Sequence, residues 1–448
     1  AADVQVVGDP LALYAAGLDV PRLSIAAPRE YVPVVLDVRQ DATVRRMDVT
    51  GGFEKRGAGT LTVDVRGAEG QMCLTTGGGK GENRCPASYA DTGFAPDGTP
   101  LGEDFATGLL VTEGELVLKG DGTSASTVQA KGQFTVGMNV TNMNVAAQPK
   151  LTLDGVWLDG TGGNGASSHS AVGWGLGRSQ ASGQRTPAFE LRNGARYRCN
   201  TLRLGLGTSN RRMGDHSRLT MTDSALIAGA VYFESEIAQN PSVVRCTNAL
   251  VATLSYPIYT AGAVDLVFSN SRVGAGAGSL QSPSLVNEIN PDPDAWDAGK
   301  YNFGPLGWNL HLPTGRVEFA DGSLLRARLR HFNRLQKPFE IVWDDSEWDY
   351  GKEADYAFDE TVANDLFTMT VRGKGLKLRP SAGTTFTVVH PIVGDGGVCN
   401  VGAGAVKFAA DALAFSGTCR AAPGATIDLS EAGPLSGVKF GGAGTVSG

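Results

Sequence analysis

Charge is scarce in this chain: Asp, Glu, Lys and Arg make up 19% of its 448 residues, against a usual share of about 25%. No long run of Lys or Arg occurs, and the basic pairs Arg45-Arg46 and Arg211-Arg212 read as solvated strand edges or turns. A nucleic-acid footprint, which needs a basic face to neutralise phosphates, is therefore not expected. Nor does any stretch approach the roughly 20 apolar residues that span a bilayer as a helix. The familiar catalytic signatures are missing too: no G-x-S-x-G elbow, no H-E-x-x-H and no G-x-x-x-x-G-K-[ST], since GGGKGENR at 77–84 has neither the spacing nor the following hydroxyl residue. Tight C-x₂₋₄-C knuckles, which structural zinc sites use, are absent. A sustained helical period is lacking, with 324–336 the nearest approach, read as one short helix or a basic strand and turn. The opening AADVQVV carries no charged and apolar leader, so a secretory signal is expected to have been removed or never present.

What is present in excess is glycine, 61 residues of 448, about twice ordinary usage. The chain is 42% hydrophobic with a net charge of only −7, which is the composition of a folded core rather than of a disordered chain. From Lys150 onward one pattern recurs: alternating apolar residues, then Asp or Asn, a small residue, and a new apolar start. Its polar markers are Asp154, Asn193, Asp223, Asn248, Asn270, Asp321 and Asp345. Most are about 20–30 residues apart, the period of stacked β-coils. The interval from Asp154 to Asn193 reads as one coil plus a loop, that from Asn270 to Asp321 as two coils. Asn and Asp suit such turns because they tolerate left-handed backbone and bond neighbouring backbone groups. One coil cannot bury its apolar side alone, so neighbours must stack. The spacing thus predicts an all-β parallel β-helix whose turn residues align in a ladder, with loops inserted at 159–187 and 281–315.

Two further stretches are more specific. GGFEKRGAGTLTV (51–63) supplies Gly51, Gly52, Phe53, Lys55, Gly57, Gly59, Thr60, Leu61 and Val63, and GLLVTEGELVLKGDG (108–122) supplies Leu110, Val111, Gly114, Leu116 and Leu118. Together they resemble the two halves of the passenger-associated, or autotransporter-associated, β-strand repeat. The last residues echo the first half through Gly442, Gly444, Thr445 and Val446. The resemblance implies successive strands of a right-handed β-solenoid displayed outside a bacterial cell, secreted or on the cell surface. The family's C-terminal outer-membrane barrel has no counterpart in the text of this chain. In a chain whose repeats look exported, the cysteines at 73 and 85, 199 and 246, and 399 and 419 are expected to form three sequential disulfides. The alternative for Cys199 and Cys246 is a pair of buried thiols.

Candidate chemistry is sparse. Asp344, Asp345, Glu347 and Asp349 form the densest carboxylate group, beside Trp343 and Trp348. In period-2 geometry Asp345, Glu347 and Asp349 share a face, where a glycosidase-like acid pair, or a base such as Arg326 or Arg328, would have to converge. An exposed solvated strand or a calcium site is an equally good reading of charges so spaced. His216 beside Asp215 resembles an oriented base, though five histidines in the chain make one such adjacency uninformative. Asp292, Asp294 and Asp297 resemble the start of a calcium loop without its central glycine and distal glutamate. Trp296, Tyr301, Phe303 and Trp308 offer rings for a pyranose face, or anchors that pack their loop.

These readings lead to N-terminal capping strands over 1–50, passenger-type coils with a Cys73/Cys85 loop over 51–150, main coils over 151–380, and C-terminal coils or a cap over 381–448. The function expected is that of a structural surface protein, adhesive or self-assembling into a filament or layer, with no cofactor other than calcium. Its partners would be other copies or an extracellular glycan or surface ligand, without nucleic acid or a transmembrane segment. The rival is a carbohydrate-active β-helix enzyme, a polysaccharide lyase or glycoside hydrolase, or a glycan-binding module.

Overall fold

A computed structural model describes the chain except residues 1–3, 8–10, 14–17, 27–33, 51–52, 68–70, 76–106, 132, 139–146, 161–168, 175–185, 206–216, 236–240, 254–257, 276–307, 310–313, 328, 331–338, 351–354, 359–366, 434 and 436, with the backbone alone in parts of some strands. Strand dominates the described residues, which contain no α-helix and only a 3₁₀ turn at Ser124–Ser126. The chain divides into two compact units, Ala1–Val243 and Val244–Gly448. Both are parallel β-solenoid: each strand pairs with the equivalent strand of the next coil rather than with its neighbour in sequence.

In the first unit one column of strands runs Thr60–Asp64, Glu115–Lys119, Lys150–Asp154, Ala188–Arg192 and Arg218–Thr222, all parallel. Alternation sends Leu61, Leu116, Leu151, Phe189 and Leu219 inward in register, each fully buried. The outward positions of the same strands carry charge, and in register the signs alternate: Lys119 lies between Asp64 and Asp154, and Arg192 follows Asp154. Lys150 reaches Glu115 at 3.2 Å and Glu190 at 2.5 Å, one coil to either side. Like charges stacked directly opposite would repel, so this alternation is what a parallel ladder requires of its wet face. The strands of residues 1–50 join the same ladders, Leu18–Ala26 pairing with Ala42–Thr50 and the latter with Thr60–Asp64.

The second unit repeats the scheme with heavier side chains. Ile258–Ser269, Thr314–Ala320, Phe339–Asp349 and Phe367–Leu378 stack in register. Phe268, Phe319 and Trp343 stack face to face with ring centroids 5.3 and 4.8 Å apart, and Trp343 lies 5.7 Å from Trp348 at 13°. Further on, Thr385–Val388, Ala405–Phe408, Thr426–Asp428 and Thr445–Ser447 form a second ladder beside that of Val398–Asn400, Thr418–Ala421 and Lys439–Gly442.

The turn ladder forms as the sequence pattern predicts, with two corrections. Among the described residues, the non-glycine positions with left-handed backbone are Asn193, Asp223, Asn248, Asn270, Asp321 and Asp345, with φ between 44° and 57°. All six are polar markers of the repeat. The seventh, Asp154, is the last residue of its strand, and Gly155 takes the left-handed place at φ 66°. The step from Asn270 to Asp321 is one coil carrying a long insertion, not two, because Phe268 pairs directly with Phe319. The small residue after the marker also has a task. Ser271 and Ser323 are wholly buried; Ala249 N–H donates to Ser271 Oγ at 3.2 Å and Ser271 N–H to Ser323 Oγ at 3.0 Å. Ser323 Oγ then shares its one proton between the carbonyls of Phe268 and Ala320. Buried main-chain groups at the corner are thus satisfied coil by coil. Over 324–336, the described residues are short strands, Leu324–Arg326 and Leu329–Arg330, rather than a helix.

Candidate functional site

The carboxylate group at 344–349 lies within the long strand Phe339–Asp349, but its members do not converge. Simple alternation fails at Asp345, whose left-handed turn (φ 51°) redirects the side chain. Its two oxygens accept from Lys374 at 2.9 Å and Lys377 at 2.8 Å. Those bonds, Lys377 first, hold its carboxyl below the usual range. A general acid for glycoside cleavage needs the opposite shift. Glu347 is held by the Arg379 guanidinium, Nη2 lying 2.9 Å from Oε2. Asp349 is almost fully buried and accepts from Arg326 Nε at 3.2 Å. Arg326 therefore serves as a counter-ion to Asp349, and each of these three acids has its own cation. Trp343 and Trp348 point into the core, fully buried, rather than toward a groove. Trp348 Nε1 donates to Ala327 O at 2.8 Å, while Trp343 Nε1 has no hydrogen-bond partner among the described residues.

The described cysteines correct the disulfide expectation. Cys199, Cys246, Cys399 and Cys419 are free thiols. For the last two the reason is register: Val398 pairs with Cys419, and Cys399 with Arg420. Cys419 thus shares the buried face with Val398 while Cys399 looks out from the opposite one, and two side chains on opposite faces of adjacent strands cannot be bridged. Cys199 follows the left-handed turn of its coil and Cys246 precedes its own, so they occupy different strands of the repeat. Burial pushes the Cys199 thiol up to about 12, and Cys419 likewise to about 12. These are inert core thiols, as the alternative reading of Cys199 and Cys246 has it. Cys73 is described by backbone only and Cys85 lies outside the described residues.

Other expectations also fall outside the described residues: His216 with Arg211, Arg212 and Asp215, the acids Asp292, Asp294 and Asp297, the rings Trp296, Tyr301 and Phe303, and Arg328. Trp308 is described by its backbone, which pairs with Leu329. Among the described residues no group of three or more His, Cys, Asp or Glu side chains is arranged to hold a metal ion, and no helix is long and apolar enough to cross a membrane.

Comparison of the chain with protein-family models, with curated proteins and with solved structures finds no match.

The site that sequence reasoning passed over is at Lys55. Its neighbours in register are Leu36 one coil back and Val111 one coil on, both buried, so this lysine occupies an inward column that is otherwise apolar. It is wholly buried. Nζ donates to Gly57 O at 2.6 Å, to Gly59 O at 2.5 Å and to Glu113 O at 2.8 Å. Three acceptors match the three donors of an ammonium. Burial lowers its pKa from 10.5 to about 8 against the raising influence of Glu113, Asp37, Asp41 and Glu115, so the charge persists at neutral pH. The cage admits the ammonium because residue 114 is glycine: a Cβ there would lie 2.5 Å from Nζ and 2.4 Å from Gly57 O. Thr112 and Glu113 complete the join, Thr112 N–H donating to Lys55 O at 3.1 Å and Glu113 Oε2 accepting from Gly57 N–H at 3.0 Å. The signal in sequence was a lysine at an inward alternate position among glycines, read only as part of a motif.

Proposed function

We propose that this chain is a secreted or cell-surface structural β-solenoid of the passenger-repeat type, working by adhesion or self-assembly into a filament or layer. One observation bears on the assembling part of this reading. In the coil formed by Lys439–Gly442 and Thr445–Ser447, the core-facing residues Phe440 and Val446 are 37% and 43% exposed. Their partners in register one coil back, Cys419 and Ile427, are 0% and 1% exposed. With Leu435, they are the exposed large hydrophobics among the described residues. Beside them, the ladder groups of the two strands point outward with apolar side chains between, a template for strand addition. A further coil of the same register covers such an edge, whether it comes from chain that follows residue 448 or from a second copy, and the assembling part of the proposal takes the second copy as its source.

The passenger-type reading is supported by the two motif halves lying on successive coils in register, Leu61 against Leu116 and Val63 against Leu118. A scaffold role is supported by the separate ion pairs of Asp345, Glu347 and Asp349.

The test is negative-stain microscopy and sedimentation of the purified chain beside Phe440→Asp/Val446→Asp and a deletion of residues 434–448. Regular fibres or sheets in the parent and single rods in both variants are expected. Single rods for the parent at every concentration would remove self-assembly and turn attention to a glycan binding and cleavage screen.

A further inference from the structure

Apolar alternation specifies the face of a strand but not its position along the partner. With Leu61, Val63 and Val65 inward on one coil and Leu116 and Leu118 inward on the next, a slip of two residues still sets apolar against apolar. Most coils stand about 20–40 residues apart, but Lys55 reaches Glu113 across 58 residues of sequence. Closing so long a connection brings the two coils together without choosing their alignment, because loop entropy depends on length and not on register.

We propose that Lys55 is the register key for this junction: a buried ammonium that fits its carbonyl cage in one alignment only. Gly57 O and Gly59 O come from its own coil and are present in any register. The third acceptor, Glu113 O, comes from the next coil and meets Nζ only when Lys55 stands opposite Val111. The glycine that leaves room for the ammonium, Gly114, is in place only in the same alignment. A slip of two residues puts Thr112 or Leu116 where Gly114 stands, and a Cβ at that place lies 2.5 Å from Nζ, a penalty for wrong registers rather than a bonus for the right one. Groups facing the cage reinforce the choice: Glu113, Asp37, Asp41 and Glu115 favour the cation, while Glu54 is occupied by Arg56 and by Thr112 Oγ1 at 2.8 Å.

The competing account is that Lys55 is only a buried polar group, in which case a flat apolar replacement of similar length leaves the coils as ordered or more so. Hydrogen exchange read by mass spectrometry on the intact chain separates the two, using Lys55→Met and, independently, Gly114→Ala. The first removes the key and the second obstructs its slot. Single, protected isotope envelopes are expected for Phe53–Arg56, Thr60–Asp64 and Glu115–Lys119 in the parent. In both variants these peptides are expected to split into two populations or lose protection, while Arg218–Thr222 is unchanged and reports that the rest of the unit is folded. Unchanged or greater protection of the three strands in Lys55→Met overturns the proposal. So does a loss in Lys55→Met that spreads equally to Arg218–Thr222, since that marks general destabilisation.

Discussion

Asn193 Nδ2 donates to Asp154 Oδ1 at 2.6 Å across 39 residues of sequence. One residue holds a left-handed turn; the other ends the strand of the coil before it. The pair shows how the ladder works: the marker bends its own coil and holds the neighbouring one.

The backbone part of that task is separable from the side-chain part. At Asn270, exposed and at φ 44°, Ala is expected to lower the unfolding free energy by about 1 kcal/mol, the cost of a Cβ in left-handed backbone without a compensating polar group. Gly at the same position relieves that strain and should be close to neutral. Denaturant titration of both variants gives the comparison, and equal losses would refute the assignment.

The acids at 345 and 349 are predicted to differ sharply. Asp345→Asn keeps a residue type that tolerates left-handed backbone and removes the pairs with Lys377 and the largely exposed Lys374, and about 1 kcal/mol or less is expected. Asp349→Ala leaves the Arg326 guanidinium without its carboxylate in a nearly dry setting, and about 3 kcal/mol is expected. Thermal melts of the two would rank them, with the reverse order counting against the ion-pair reading.

Lys55 gives a pH signature. Its pKa is about 8 in the folded chain and near 10.4 in an unfolded one. Between those values the unfolded chain holds more protons, so stability due to this group rises with pH over that window and is flat below it. The difference in unfolding free energy between the parent and Lys55→Met should therefore move in the parent's favour from pH 8 to 10.5. Paired urea titrations across the window measure it; a difference that moves the other way refutes the assignment.

The thiols are expected to separate by exposure. Under native, non-reducing conditions, alkylation should mark Cys399, which looks outward between Lys377 and Arg420. Cys199, Cys246 and Cys419 should be marked only after unfolding. Peptide mapping decides, and a disulfide linking Cys399 to Cys419 would contradict the register at Val398 and Cys419.

The turn ladder was legible because its requirement is local: a residue that tolerates positive φ, a small residue next, apolar alternation on either side. The exception is Asp154, where Gly155 alone takes the left-handed place. The alternation placing Asp345 with Glu347 and Asp349 failed for the same reason the ladder succeeded, since Asp345 is itself a turn marker. Pairing of Cys399 with Cys419 was not readable from spacing, because a difference of one residue in register decides which face each thiol takes. Lys55 was visible as a motif letter, but its partners are carbonyls, which have no letter in a sequence.

The ladder bonds of the last coils also imply a mechanical grain. Ser416 reaches back to Gly394 across 22 residues, about one coil, and strand-to-strand bonds of this kind join each coil to the one before it. A chain pulled from its C-terminal end would shed coils singly, each releasing roughly 70–80 Å of contour. The Asn400 side chain, which donates to Gly404 O and Thr426 O, would act as a catch in that sequence of steps. Resistance to extension would then scale with the strength of one junction and the energy absorbed with the number of junctions, the behaviour of a tether that yields without parting.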